Sequence, residues 1–147
     1  MLRSKRKTAS RKPYVLNEQV GFLLRVAMQR HTTIFTSRMI EELTQTQLAA
    51  LAKLLEAGPC SQNHLGRLIY LDAATIKGVV DRLRARGLVA TTDDARDRRR
   101  RAVTLTAAGR RVTEAATAVA AQITAQTLAP LSLPEQRAVA RLLKKLG

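Results

Sequence analysis

The chain has no tryptophan, and Tyr14, Phe22, Phe35 and Tyr70 are its only aromatic residues besides histidine. Proteins that hold single-stranded nucleic acid stack bases on several exposed rings, so this scarcity points away from single strands. Cysteine and histidine are rarer still. Cys60, His31 and His64 are too few and too scattered for a closed zinc site, which needs four ligands at short spacings. Neither a metal nor another cofactor is expected. The sequence also lacks a phosphate-cradling glycine loop, a nucleophile elbow and a cluster of paired carboxylates, so enzymatic activity is not expected. It has no run of roughly 18 apolar residues, the length a membrane span needs. The basic start MLRSKRKTASRK does not lead into the uninterrupted apolar stretch and small-residue cleavage site of a signal peptide. A cytoplasmic protein with no membrane partner is the expectation.

Acid is the remaining shortage. Eleven Asp and Glu face 26 Lys and Arg, a net charge of +15, and such an excess gathers polyanions and releases their counterions on binding. Residues 1–13 hold Arg3, Lys5, Arg6, Lys7, Arg11 and Lys12 with no acid, so they are expected to form a disordered basic arm. That arm can serve either as a solubilising extension or as a DNA contact. Removing its six charges from +15 still leaves +9, so the polyanion reading does not depend on it. With few rings to stack bases, the expected partner is double-stranded DNA.

The remaining residues, 14–147, suit a single domain, and 46% apolar residues suffice for a core without staples. From Leu16 to about Arg38, apolar residues recur with a helical period at Val20, Leu23, Leu24, Ala27, Ile34 and Phe35. Thr44 and Gln47 form a capping-box pattern before Leu48, Leu51, Leu54 and Leu55, and Gly58-Pro59 stops that helix. Ser61 caps the next helix, with Cys60 and Leu65 spaced as a hydrophobic staple. Asp72 caps a further helix whose buried face is expected at Ile76, Val79, Val80 and Leu83, with Gly87 as its stop. Thr106 opens a long Ala-rich helix ending near Pro130. Ser132 with Glu135 forms a second capping box, and Pro134 in the first turn tolerates its missing amide.

Between the Asp72 helix and the Thr106 helix lies the most informative stretch. DAATIKGVVDRLRARGLV runs into DDARDRRRR and then into the alternation AVTLT, which reads as helix, strand, basic hairpin tip and returning strand. A helix with a basic hairpin beside it is a shape for gripping duplex DNA. The expected fold is mainly α with one small β-hairpin wing.

Five segments in this order and spacing resemble the MarR-type winged helix-turn-helix regulators of bacteria. They are LTQTQLAAL at 43–51, GPCSQNHLGRL at 58–68, DAATIKGVVDRLRARGLV at 72–89, DARDRRRRAVTLTAAGR at 94–110 and LSLPEQ at 131–136. The resemblance implies a winged helix-turn-helix over about 44–105 and a helical dimerisation body built from about 16–38 and 106–146. It implies an obligate homodimer on a pseudo-palindromic operator, most simply a repressor released by a small molecule. Two stripes support a dimer independently. Val112, Ala116, Val119 and Ile123 on one helix, and Val139, Leu142, Leu143 and Leu146 on the last, are read as apolar faces that a partner would cover.

On the recognition helix, Ala73, Ala74 and Gly78 allow close approach to base edges. Lys77 can donate to guanine acceptors, Thr75 can bond a base or touch a thymine methyl, and Arg82, farther back beyond Asp81, suits a phosphate. Ser61, Gln62 and Asn63 open the preceding helix and can offer side chains and amides to phosphate. In the family the arginine of the D-x-R wing pattern enters the minor groove. Asp94-Ala95-Arg96 stands at the matching place, and Arg98 and Arg99 extend the basic run. A narrow minor groove has the negative potential that favours such an insertion. The plain alternatives are a solvated cationic face for Lys77 and Arg82, and for the wing a charged hairpin that keeps an edge strand soluble.

The resemblance also implies an effector cleft where the dimer body meets the winged domain. Arg25, Met28, His31 and Phe35 are the candidate lining for a small aromatic acid, against the alternative that His31 is a satisfied buried histidine or a dimer contact. The run YVLNEQVGFLLRVAMQRHTTIF resembles the subgroup that represses nicotinate-degradation genes, whose inducers are hydroxylated pyridine carboxylates. Cys60 is read as a staple residue rather than an oxidation switch, because the peroxide-sensing members place their reactive cysteine near the first helix. A non-specific architectural or nucleoid DNA-binding protein is the alternative function, since the same charge would serve it.

Overall fold

The computed structural model describes residues 11–94 and 97–147, with side chains at those positions other than 94 and 97–100. A 3-10 turn at Leu16–Glu18 precedes α1 (Val20–Arg38), α2 (Gln45–Ala57), β1 (Cys60–Ser61), α3 (Gln62–Leu68), α4 (Ala73–Ala85), β2 (Val89–Asp94), β3 (Asp97–Leu105), α5 (Ala107–Leu128) and α6 (Leu133–Leu146). Most of the basic arm, residues 1–10, lies outside the described residues.

Helix starts follow the caps read from the sequence. The Thr44 hydroxyl accepts from the Gln47 amide while the Gln47 side chain accepts from the Thr44 amide, which closes a capping box on α2. Ser132 and Glu135 do the same for α6. Ser61, Asp72 and Thr106 cap α3, α4 and α5, each accepting from the amide three residues on. Two stops depend on glycine because the backbone turns left-handed there, at Gly58 with φ 83° and Gly87 with φ 71°.

The sheet departs from expectation. It has three strands in the order β1-β3-β2, all antiparallel, rather than a lone hairpin. Cys60 pairs with Val103 and Ser61 with Ala102, so the two residues before α3 are stitched to the returning strand of the wing. The β2–β3 ladder runs from Val89 opposite Leu105 to Asp93 opposite Arg101, then becomes irregular toward the tip.

Leu51, Leu65, Ile76, Val80, Leu83, Val89 and Val103 are fully buried in one cluster that joins α2, α3, α4 and the sheet. Burying such side chains is worth about 2 kcal/mol each, so this cluster holds α4 against the rest of the head. Cys60 packs at the edge of this cluster. Gly66 lets α3 and α4 approach closely, since a Cβ there would stand 3.0 Å from Ile76 Cγ2 and 3.1 Å from the Leu71 carbonyl.

The stripe on α5 is not left for a partner. Ala116 is fully buried in the main cluster with Val112 packed against it. Ile123, with Val119 beside it, meets Ile34 and Phe35 of α1 in a second cluster. At 22 residues α5 is long enough, about 33 Å, to cross both α2 and α1, so its own chain covers that face. The apolar surface left in water lies elsewhere. In α1 only Ile34 and Phe35 are buried, whereas Val20, Leu23, Leu24 and Met28 are exposed. In α6 nothing is buried, and Leu142, Leu143 and Leu146 are exposed.

A polar seam fixes α1 along the end of α5. Arg30 donates to the carbonyls of Gln126 and Thr127, and Arg38 donates to the side chains of Gln122 and Gln126. The carbonyls Arg30 takes are among the last of α5, where a cation also meets the negative end of the helix dipole.

Candidate nucleic-acid interface

The core fixes which way α4 faces. Ile76, Val79, Val80 and Leu83 are all buried, as the sequence predicts, so Ala73, Ala74, Thr75, Lys77, Arg82 and Arg84 are turned outward and exposed. Asp72 accepts from the Thr75 amide at 2.7 Å, and this bond holds its carboxyl below the usual range, so the cap stays ionised at neutral pH. Gly78 is half-buried. The nearest atom to a Cβ built there is Arg82 Nη1 at 3.4 Å, so the guanidinium of Arg82 folds over the glycine.

Lys77 is not idle in this structure. Its Nζ donates to Asp81 Oδ2 at 2.8 Å, and the other oxygen of Asp81 accepts from Arg84 Nη2 at 2.8 Å. These bonds keep the Asp81 carboxyl below its ordinary range. Arg84 also reaches Thr91 on β2, at 3.4 Å, and so links α4 to the base of the wing.

Ser61, Gln62 and Asn63 stand at the start of α3, on the same head as α4, with Asn63 exposed and Ser61 half-buried by its cap and strand roles. Arg98 and Arg99 fall on β3, but their side chains are not among those described, and Ala95 and Arg96 lie outside the described residues altogether. Tyr70 is a residue that the sequence reading left without a role. It sits in the turn between α3 and α4, 89% exposed, with φ 60°, a left-handed conformation uncommon for an aromatic residue. The signal was available, since an aromatic two residues before a helix cap has no amphipathic face to join. Arg86, which follows the last residue of α4, carries no local sequence signal for its contact. It donates to the backbone carbonyl of Glu41 at 2.6 Å, in the segment between α1 and α2.

The four candidate effector residues do not converge on one point. Phe35 lines a groove with Thr32, Thr36, Met39, Leu43 and Thr44, between the end of α1 and the start of α2. Arg25 and Met28 line a neighbouring depression with Gln29, Thr32 and Thr33, so Thr32 borders both. The Arg25 guanidinium lies 5.3 Å from the centre of the Phe22 ring. His31 turns to α5, where its Nδ1 shares a hydrogen bond of 2.9 Å with Thr127 Oγ1, and its ring lies 6.3 Å from that of Phe35. Cys60 is half-buried, and burial pushes its thiol up, opposite to what a reactive thiolate needs. No helix among the described residues is long and apolar enough to cross a membrane.

A profile of the MarR family matches residues 43–100. The chain is 42% identical over 135 residues to the HTH-type transcriptional repressor NicR of Pseudomonas putida, which covers 91% of this chain and 85% of that protein. A probable transcriptional regulator from Pseudomonas aeruginosa superposes with a TM-score of 0.88 at 51% identity, over 90% of this chain and 100% of the other. BpsR of Bordetella bronchiseptica, whose DNA binding is regulated by 6-hydroxynicotinic acid, superposes with a TM-score of 0.87 at 41% identity, over 92% and 97% of the two chains. These relatives are regulators rather than enzymes, and they favour a gene-specific regulator over an architectural protein. With a winged head whose helix α4 turns small and cationic side chains outward, this chain belongs to the MarR family of transcriptional regulators.

Proposed function

We propose that the chain is a homodimeric repressor that acts in the cytoplasm and seats its two α4 helices in successive major grooves of a pseudo-palindromic operator. The observation that carries this reading is the division of α4, whose apolar side is consumed by the core while the opposite side offers small residues, Thr75, Lys77 and Arg82. A twofold protein of this kind needs half-sites about one turn apart, roughly 34–36 Å. The uncovered flanks of α1 and α6 supply an apolar surface for the twofold contact. Ala74 and Gly78 let the helix approach the bases, Lys77 and Thr75 read them, and Arg82 holds a phosphate. Ser61, Gln62 and Asn63 clasp the backbone at the start of α3, while Arg96, Arg98 and Arg99 of the wing take the flanking minor groove.

The operator comes from footprinting upstream of the protein's own gene. On that duplex Lys77→Ala is expected to erase preference at one base position, a loss of about 1–3 kcal/mol. Arg82→Ala should weaken all duplexes alike and reduce the slope of log K against log salt by about 1. Equal losses from Lys77→Ala on operator and random duplex would remove Lys77 from base reading.

The effector assigned by this reading is a small aromatic carboxylate, of the hydroxylated pyridine type. Its support is the likeness to BpsR, which answers to 6-hydroxynicotinic acid. Phe35 and Met28 supply apolar walls and Arg25 a cation for the carboxylate. Thr32 joins the two depressions; His31 lines neither while bonded to Thr127, and its assignment to the site requires that bond to open. An effector acts only through the difference in its affinity for two head separations. Adding 6-hydroxynicotinic acid is expected to weaken operator binding at least tenfold, read by fluorescence anisotropy. If calorimetry finds no pyridine or benzoate carboxylate that binds, the effector reading falls.

A further inference from the structure

The ridge of α4 farthest from the core is Ala74, Gly78, Asp81 and Ala85, at helical spacings opposite Ile76, Val79, Val80 and Leu83. Three of these four are small, and the fourth is an acid. In a chain of net charge +15, the face turned toward a polyanion therefore carries a carboxylate near its centre. Both oxygens of that carboxylate are occupied, one by Lys77 Nζ and one by Arg84 Nη2, each at 2.8 Å. The group is partly open to solvent, with 39% of the Asp81 side chain and 67% of the Lys77 side chain exposed. A pair in that setting shifts an equilibrium by up to about fivefold, enough to compete with a diffuse phosphate field and weak enough to yield to a better set of acceptors.

We propose that Asp81 is a specificity-determining residue that works without touching a base, by competing for Lys77 and repelling phosphates that approach the wrong part of α4. Specificity is a difference between two affinities, and a repulsive element raises it by weakening the wrong complexes more than the right one. On a random duplex Lys77 gains only a diffuse phosphate field in exchange for a close carboxylate, so it stays with Asp81 and contributes little. On the operator it meets the paired acceptors of a guanine edge, which replace the carboxylate in kind. Arg84, tied to Thr91, stays behind to hold Asp81 after Lys77 leaves, so the acid is not stranded in the groove.

This inference rests on the proposed role of α4 as the reading helix. The test compares the full-length protein with Asp81→Asn and Asp81→Glu on the footprinted operator and on a mixed-sequence duplex of equal length, across a salt series. Asp81→Asn is expected to bind the mixed duplex about five- to tenfold more tightly, to steepen its log K against log salt slope by about 1, and, with operator affinity nearly unchanged, to lower the operator-to-mixed ratio about five- to tenfold. Asp81→Glu, which keeps the charge, should hold the ratio within about threefold of wild type. A ratio unchanged in Asp81→Asn while the wild type discriminates overturns the role of Asp81 alone. So does a parallel loss on both duplexes together with a lower melting temperature, which is what a mere brace between α4 and β2 would give. If the wild-type protein itself fails to discriminate, α4 is not a reading helix and both proposals fall.

Discussion

Gly109→Ala is expected to lower the melting temperature by roughly 10 °C, a loss of about 3 kcal/mol, and so to abolish DNA binding at temperatures between its own melting point and that of the wild type. A Cβ at this position would stand 1.8 Å from the carbonyl oxygen of Leu88 and 2.8 Å from its carbon. Those are backbone atoms that cannot swing aside as a side-chain end would. The close approach follows from the way α5 begins. Thr106 caps it and also donates to the Gly87 carbonyl at 2.6 Å, while the Thr106 amide donates to Leu88, so the first turn is pinned against the link between α4 and β2. Relieving the clash means pulling α5 off that link and parting Ala116 from the core it fills. Gly21→Ala is the control. Nothing lies within 4 Å of its Cβ position, and alanine in α1 should be neutral or stabilising by up to about 1 kcal/mol. Thermal melts of both variants, followed by circular dichroism, check the contrast. A melting temperature within about 2 °C of wild type for Gly109→Ala would mean that α5 is not seated where the structure puts it.

The second large effect concerns association. Leu143→Asp should convert dimers to monomers at micromolar concentration and weaken operator binding by about 100-fold or more. Leu143 is half-exposed on the only apolar face of α6, with Leu142 and Leu146 beside it. In a twofold contact each substitution occurs twice, so two unpaired carboxylates would be buried, at several kcal/mol each. A monomer then grips one half-site and forfeits the effective concentration that joins the second head to the first. Arg141→Asp, on the opposite side of α6, introduces the same group without meeting that face and should remain dimeric. Analytical ultracentrifugation and light scattering decide the matter. A Leu143→Asp protein that stays dimeric and binds normally would place the twofold contact elsewhere.

Much of this fold is legible in the sequence because caps are local. Thr44 with Gln47, Ser132 with Glu135, and Ser61, Asp72 and Thr106 each settle a helix start within four residues. The buried face of α4 is legible for the same reason, since a helical period needs only its own thirteen residues. What a stripe packs against is not local. Val112, Ala116, Val119 and Ile123 look the same whether a partner or the same chain covers them, and the answer depends on how α1 and α2 cross α5. The two-residue strand β1 escapes for a similar reason, because its only warrant is a pairing with Ala102 and Val103 some forty residues away. In the candidate site, the spacing of Lys77 and Asp81 allows their ion pair to be read, but the link from Arg84 to Thr91 and the bond of His31 to Thr127 require the tertiary structure.

The bond from Arg86 to the carbonyl of Glu41 has a mechanical consequence. Glu41 and Glu42, at φ 57° and 51°, make a tight left-handed kink between α1 and α2, and the heel of α4 is lashed to that kink at 2.6 Å. The covalent chain and this lashing are two separate moorings between the rear of α1 and the winged head. With both in place, a displacement of α1 is expected to carry over to α4, the helix proposed to read DNA, instead of being absorbed by the connector.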